Sequence, residues 1–402
     1  MKVDLFLPCA QGVESFLAEE CRRLLGADAR IVEQRGGISV RGDEVTAMRL
    51  NLESRLAQRV LWPLAHGPYR HELELYELAR TVDWMAWITP RQTLRVDTTA
   101  QRSPLKSLNF ATLRIKDAVC DVVREASGER PSVDTRHPDL PLALHLTATH
   151  ATLYADTSGE ALFKRGWRDA GAQKGEAPLK ETLAAAMLAA AGWQGRAEDG
   201  PLLDPCCGAG TIAIEAAQIA CGVAPGLNRR FAFERLAPWR THLPAWRAMV
   251  DAARARVHSS AVAIYAGDVS FRMTDFALRN AERAGVKGAI EFKTADALQR
   301  MPPAPTGTMV LNPPYGERIE ARGSGRPARE AIESGDSPAE FFAALAAQWK
   351  RHYAGWTAWV LVPEMKLPSL MRLKESRRVP LWNGPIECRL FRFDMVAGSA
   401  RG

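Results

Sequence analysis

The 402-residue chain lacks most of the features that would place it at a glance. Its seven cysteines, at 9, 21, 120, 206, 207, 221 and 388, are odd in number and form no CxxC pair. That argues for neither a disulfide framework nor zinc. The eight histidines show no HxxxH spacing, so they are expected to be structural or surface residues, and no metal site is expected. No apolar run approaches the ~20 residues that span a bilayer. The longest, at 183–193 (LAAAMLAAAGW), is Ala-rich and short, so no membrane segment is expected. The first residues carry Asp4, Glu14, Glu19 and Glu20 and lack the order of a signal peptide, which makes a cytoplasmic protein the expectation.

Charge of one sign is also scarce: 53 Lys plus Arg stand against 46 Asp plus Glu, a net +7. Lysine is rare as well, since 42 of the basic residues are Arg and 11 are Lys. Arginine grips phosphate with a bidentate fork and stacks on bases, which is compatible with RNA. A GC-rich genome also encodes Ala-, Gly- and Arg-rich chains, so composition names no partner. With 47% apolar residues the chain is globular, and its length accommodates two or three domains.

Residues 3–42 read as a β-α-β-β unit: a strand at 3–8, a helix at 12–25, and strands at 29–34 and 37–40 about a Gly36-Gly37 turn. Over 43–155 the pattern is α+β, with helices at 44–59, 73–82 and 110–124 and strands at 93–99 and 142–149. A Gly-rich, charged connector at 161–178 leads to a helix from Leu179. Beyond 200 strands alternate with helices, the pattern of a doubly wound sheet: strands at 201–205, 262–267, 290–294, 308–311 and 357–363, helices from 211, 272 and 339. The polar stretch 321–338 reads as a mobile loop that could touch substrate.

Two motifs carry chemistry. In LLDPCCGAGTIAIEAA (202–217) a short strand ends at Asp204, Gly208-Ala209-Gly210 turns the chain, and Thr211 opens a helix. Glycines let the backbone approach a ligand, and the helix start presents unpaired N–H groups. A dinucleotide would suit the same turn, but its ribose acid belongs roughly 20 residues on, where only Glu234 stands. The next strands end at Asp268 and Asp296, which suit the ribose hydroxyls and the amino group of an adenosyl ligand; capping of the following helix is the bland alternative for each.

The second motif, MVLNPPYGER (309–318), places two prolines after a strand. They remove N–H donors and leave carbonyls and the Asn312 side chain as acceptors, beside the flat face of Tyr315. An exocyclic amine needs such acceptors to orient its lone pair toward an electrophilic methyl. Cys206 and Cys207 precede the glycine turn, the wrong place for a pyrimidine-methylating nucleophile, and read as packing or pocket lining.

Asp204-Pro-Cys-Cys-Gly-Ala-Gly210 and Asn312-Pro-Pro-Tyr315, in this order, resemble the class I S-adenosylmethionine-dependent amino-methyltransferases. The whole chain resembles the THUMP-domain RNA guanine-N2 methyltransferases, RlmL-type, acting on 23S rRNA. The closer match lies in APLKETLA (177–184), RGWR (165–168), APGL (224–227) and NGP (383–385). The resemblance implies a ferredoxin-like region at 1–42, a THUMP RNA-binding domain at 43–155, a connector at 156–180 and a Rossmann-like methyltransferase domain at 181–402. It implies S-adenosyl-L-methionine held by Leu179, Asp204, Cys207, Gly208, Gly210, Asp268, Asp296 and Asn312, and a target base held by Asn312, Pro313 and Tyr315. Cys206 departs from the family's usual Met or Phe, Ser270 from a frequent second acid, and the 321–338 loop from the usual length.

Direct transfer to the N2 of a guanosine in 23S rRNA is the expectation, with the base flipped out of its stack. Arg114, Lys116, Arg124, Arg130, Lys164, Arg165 and Arg168 are candidate phosphate contacts. A tRNA guanine-N2 methyltransferase, a protein glutamine-amide methyltransferase and an inactive RNA-binding protein are the competitors. Some relatives carry a second, fused methyltransferase module that is not expected here, so any companion activity is expected to lie on another chain, and no obligate protein partner is evident.

Overall fold

The computed structural model describes residues 2–168, 179–313 and 338–396, which form two compact units. The first comprises 1–9, 17–162 and 229–252, the second 10–16, 163–228 and 253–402.

In the first unit the elements run β1 (Val3–Pro8), α1 (Glu14–Leu25), β2 (Ile31–Gln34), β3 (Gly37–Gly42), α2 (Glu44–Glu53), β4 (Leu61–Pro68), α3 (Glu72–Arg80), β5 (Thr93–Ala100), α4 (Leu108–Ser127), β6 (Ser132–Val133), β7 (Leu140–Leu146) and β8 (His150–Asp156). The strands build one eight-stranded sheet in the order β2-β3-β1-β4-β8-β7-β5-β6, so residues 1–42 and 43–155 share a sheet. Strand β4 (LWPLAHGP) is absent from the expectation above because Pro63, Gly67 and Pro68 mask it; a register shift between Pro63 and Ala65 lets it pair with β8. Helix α2 stops at Glu53, six residues before the expected end. The buried Glu20 carboxylate explains this, taking hydrogen bonds from the Ser54 hydroxyl (2.7 Å) and the Arg55 N–H (2.9 Å) and so drawing the chain out of the helix.

The second unit holds α5 (Glu181–Ala191), β9 (Leu202–Asp204) and α6 (Thr211–Ala220), and α7 (Leu243–Ala255) follows α6 in the chain. Then come β10 (Ile264–Asp268), α8 (Phe271–Arg283), β11 (Ile290–Thr294), β12 (Gly307–Leu311), α9 (Pro338–His352), β13 (Trp356–Val362), α10 (Leu367–Met371), β14 (Arg377–Asn383) and β15 (Ile386–Asp394). The seven-stranded sheet runs β11-β10-β9-β12-β13-β15-β14. Strands β9 to β13 are mutually parallel and β15 is antiparallel to β13. The expected alternation is present. The closing β14–β15 hairpin is new, turning at Gly384-Pro385 between the paired Asn383 and Ile386, with Gly384 at φ +63°.

Residues 229–252 belong with the first unit because of their aromatic rings. Trp239 is fully buried edge-on to Trp62 (5.1 Å between centroids), its indole N–H donates to the Glu44 carbonyl (3.1 Å), and Phe233 meets Trp246 at 4.9 Å. Edge-to-face rings add to an already large apolar burial. Trp239→Ala is expected to destabilise by about 3–5 kcal/mol and Trp239→Phe by far less, read as urea midpoints; equal midpoints for both would contradict a packing anchor.

Candidate methyl-transfer site

The site lies in the second unit, at the carboxyl ends of its parallel strands. From β9 the chain proceeds outward through β10 and β11, then returns to place β12 on the other side of β9. Such a reversal opens a crevice between diverging connections, where ligands of open α/β sheets bind. Strand β9 is only three residues long and all are buried. Its flanks are fastened by Leu202 N–H to the Ala263 carbonyl (3.0 Å) and Thr308 N–H to the Pro201 carbonyl (2.9 Å).

The glycine turn follows. Gly208 (φ +50°) and Gly210 (φ +84°) both adopt the left-handed conformation, and a β-carbon on Gly210 would stand 3.0 Å from that of Ala277. The turn is tied to β10 by Cys207 N–H to the Gly267 carbonyl (2.7 Å) and Gly208 N–H to Asp268 Oδ2 (3.0 Å). On its outer side the Asn280 amide donates to the Ala209 carbonyl (2.9 Å), and Arg283 binds the Asn280 side chain and the Trp167 carbonyl (2.8 Å). Asn280 and Arg283 carry no motif signal, since only the fold brings α8 against this turn.

Asp204 is 1% exposed. Burial pushes its carboxyl up to about 8, the Cys206 N–H on Oδ1 opposes this, and the negative charge of Asp268 adds to the rise. Oδ2 has no hydrogen-bond partner among the described residues. Asp268, half-buried, accepts from Gly208 N–H on one oxygen and Ser270 N–H (3.0 Å) on the other; carboxylate oxygens keep further acceptor capacity. Ser270, which departs from the family pattern, thus supports the acid through its backbone. Asp296 accepts the Leu298 N–H (2.9 Å), so it caps its own turn while standing at the same sheet edge. Burial followed by the nearby carboxylates raises the Cys206 and Cys207 thiols well above their ordinary range, which leaves them protonated and poor nucleophiles.

The buried Arg300 lies so close to Gly267 that a β-carbon there would stand 2.2 Å from its Nη1. Its positive charge acts against the rise at Asp204, and no motif points to it. Strand β12, paired with β9, delivers Asn312 and the buried Pro313 to the crevice edge; Asn312 Oδ1 is buried without a described partner. Tyr315 and the 321–338 loop apart from its last residue lie outside the described residues, as do 169–178 of the connector.

The cation expectations need correction. Arg165 is 2% exposed and its guanidinium pairs with the fully buried Glu215 (3.1 Å). Arg168 pairs with Glu181 and donates to the Thr211 hydroxyl (2.7 Å) and the Leu179 carbonyl (3.0 Å), which joins the starts of α5 and α6. Both are engaged in ion pairs within the second unit and not in a cationic surface, and Arg168 also holds the carbonyl of the buried Leu179. Lys116 pairs with Asp117, Arg124 with Asp121 (3.2 Å) and Arg130 with Asp117 (3.4 Å). Lys164 and Arg114 are exposed. Among the described residues no cluster of three or more His, Cys, Asp or Glu is arranged to hold a metal, and no helix is long and apolar enough to cross a membrane.

Comparison with known proteins identifies the domains. Residues 4–61 match the RlmL ferredoxin-like domain, 69–156 the THUMP domain and 165–392 the RMKL-like methyltransferase domain. A ribosomal RNA large subunit methyltransferase K/L of Syntrophotalea carbinolica is 37% identical over 98% of this chain and 54% of its own length. The chain spans about half the length of the curated relatives it matches. Among solved structures, a possible methylase from Clostridium difficile 630 is 28% identical at TM-score 0.83, with 100% of both chains covered. A predicted N6-adenine-specific DNA methylase from Listeria monocytogenes is 26% identical at TM-score 0.82, covering 98% of this chain and 96% of its own. The fold is therefore a Rossmann-like class I methyltransferase domain preceded by ferredoxin-like and THUMP domains. With the methyltransferase match alone taking in more than half of its residues, the chain belongs to the RMKL-like methyltransferase family.

Proposed function

We propose that the chain methylates the exocyclic N2 of a guanosine in 23S rRNA with S-adenosyl-L-methionine as methyl donor. The observation that carries the reading is Asn312 Oδ1, a buried acceptor without a described partner at the end of β12. A buried acceptor left unpaired costs about 1–3 kcal/mol, so a donor is expected to meet it, and an exocyclic amine is such a donor. The relatives' name, ribosomal RNA large subunit methyltransferase K/L, supports the substrate class.

The residues fit the cofactor. Asp204 presents a buried carboxylate oxygen without a described partner, suited to a cationic group, the start of α6 offers N–H donors, and Asp268 retains acceptor capacity for a diol. S-adenosylmethionine supplies an electrophilic methyl group on a sulfonium sulfur. Asn312 and the Pro313 carbonyl hold the amine hydrogens and aim the nitrogen lone pair, while Tyr315 supports the flipped base. Catalysis is then chiefly positioning, worth several kcal/mol, with the proton leaving after transfer.

Labelled S-adenosylmethionine incubated with separate rRNA and tRNA pools is expected to yield N2-methylguanosine in rRNA. Label in tRNA alone, or on a glutamine amide, overturns that substrate. Asn312→Ala is expected to lower turnover by at least a hundredfold, or about 2.7 kcal/mol, while calorimetric cofactor affinity stays within twofold. Normal turnover in that variant would remove Asn312 from the site.

Asp204 also gives cofactor binding a pH dependence. Its raised value means that the fold favours the protonated acid, so stability falls as pH climbs from the unfolded value toward 8, whereas a cationic ligand favours the ionised form. Cofactor affinity is expected to rise between about pH 5.5 and 7.5, by up to tenfold per unit, and to be weaker and flat in Asp204→Asn. A wild-type affinity independent of pH would show that Asp204 does not meet the cation.

A further inference from the structure

Residues 101–116 (QRSPLKSLNFATLRIK) contain four basic side chains and no acidic one. They form the loop after β5 and the first half of α4, wholly inside the first unit. The loop is pinned. Gln101 N–H donates to the Leu146 carbonyl (2.7 Å), the Tyr69 hydroxyl lies 2.7 Å from both Ser103 Oγ and the Thr147 carbonyl, and Ser107 caps α4 by accepting the Phe110 N–H (3.4 Å). Arg102 is held at φ +57°, a conformation that costs a branched-out side chain about 1 kcal/mol and marks an over-determined loop.

What this rigid segment shows to solvent is unusual in two ways. Phe110 is 56% exposed, with Leu108 and Leu113 also exposed, while Ala111, Ile115, Ala118 and Val119 on the other side of α4 are buried. Arg114 stands one turn after Phe110 on α4, and Arg102 and Lys106 stand in the loop that leads into it, all exposed and none with a described partner. Elsewhere on this helix the cations are used up: Lys116 by Asp117, Arg124 by Asp121, and Arg80 of α3 meets Glu125 of α4 at 3.0 Å. Unpaired cations in an acid-free stretch match a polyanion, and a bare ring matches the π-face of an unpaired base.

We propose that the loop and start of α4 are a docking patch for unpaired RNA, with phosphates on Arg102, Lys106 and Arg114 and one base stacked on Phe110. The proposal rests on the RNA reading given under Proposed function and adds where and in what form the substrate is held. An A-form duplex buries its base faces, so the ring selects a loop or single strand.

Fluorescence anisotropy with the full chain and a labelled single-stranded RNA, against the same strand in a duplex, tests this. Phe110→Ala is expected to weaken single-strand binding about tenfold with the salt dependence unchanged, and Phe110→Trp to restore it. The triple variant Arg102→Ala, Lys106→Ala, Arg114→Ala is expected to flatten the slope of log Kd against log salt by about 2, since each single-strand phosphate contributes about 0.7. In methyl-transfer assays both variants should raise KM for RNA at unchanged kcat. Equal affinity and slope in all variants, preference for the duplex, or a patch that binds an acidic peptide in place of RNA overturns the proposal. Unaltered patch variants beside a wild type that methylates RNA would leave the catalytic reading standing; patch-dependent RNA binding by a chain that transfers no methyl to RNA would leave the patch standing and sink that reading.

Discussion

A carboxylate buried at the end of a three-residue strand is the constraint around which the second unit is arranged. Asp204 has one oxygen on the Cys206 N–H and one with no described partner, and its neighbour Asp268 is of the same sign. Such a group costs several kcal/mol to ionise in a dry interior, so it is tolerated only where something else is gained. The surroundings keep that cost bearable without removing it. Arg300 is wedged against Gly267, the glycine turn is nailed to β10, and the acid stays at the crevice floor. A cationic ligand, such as the methyl donor proposed above, is the chemistry that would offset this cost.

The surroundings of the glycine turn depend on ion pairs that are buried or nearly so. Arg165 with Glu215 and Arg168 with Glu181 join the connector to α6 and α5. Removing one partner of a buried pair leaves the other uncompensated, at about 3–5 kcal/mol. Arginine suits this task because its planar fork serves several acceptors at once, as Arg168 does with Glu181, Leu179 and Thr211. Part of the arginine-rich composition is therefore architecture.

In the first unit the same residue type divides by neighbourhood. Along α4 and its loop the paired cations sit where acids are at hand, and the unpaired ones where the sequence has no acid at all. The net charge of +7 averages over both populations and describes neither.

Local sequence determined much of the catalytic unit. Alternating strands and helices, the Gly208-Ala209-Gly210 turn and the Asn312-Pro313-Pro314-Tyr315 run are written in contiguous residues, because a glycine's positive φ and a proline's missing donor act over one or two residues. The same locality explains why prolines hide β4 in the sequence and why the helical pattern overruns the end of α2: Glu20, which ends it, lies 34 residues from Ser54. Only the tertiary structure decided that Arg165 and Arg168 face inward, that Asn280 and Arg283 brace the glycine turn, and that residues 229–252 fold with the first unit. Burial and ion pairing depend on partners such as Glu215, 50 residues from Arg165, which no spacing along the chain reveals.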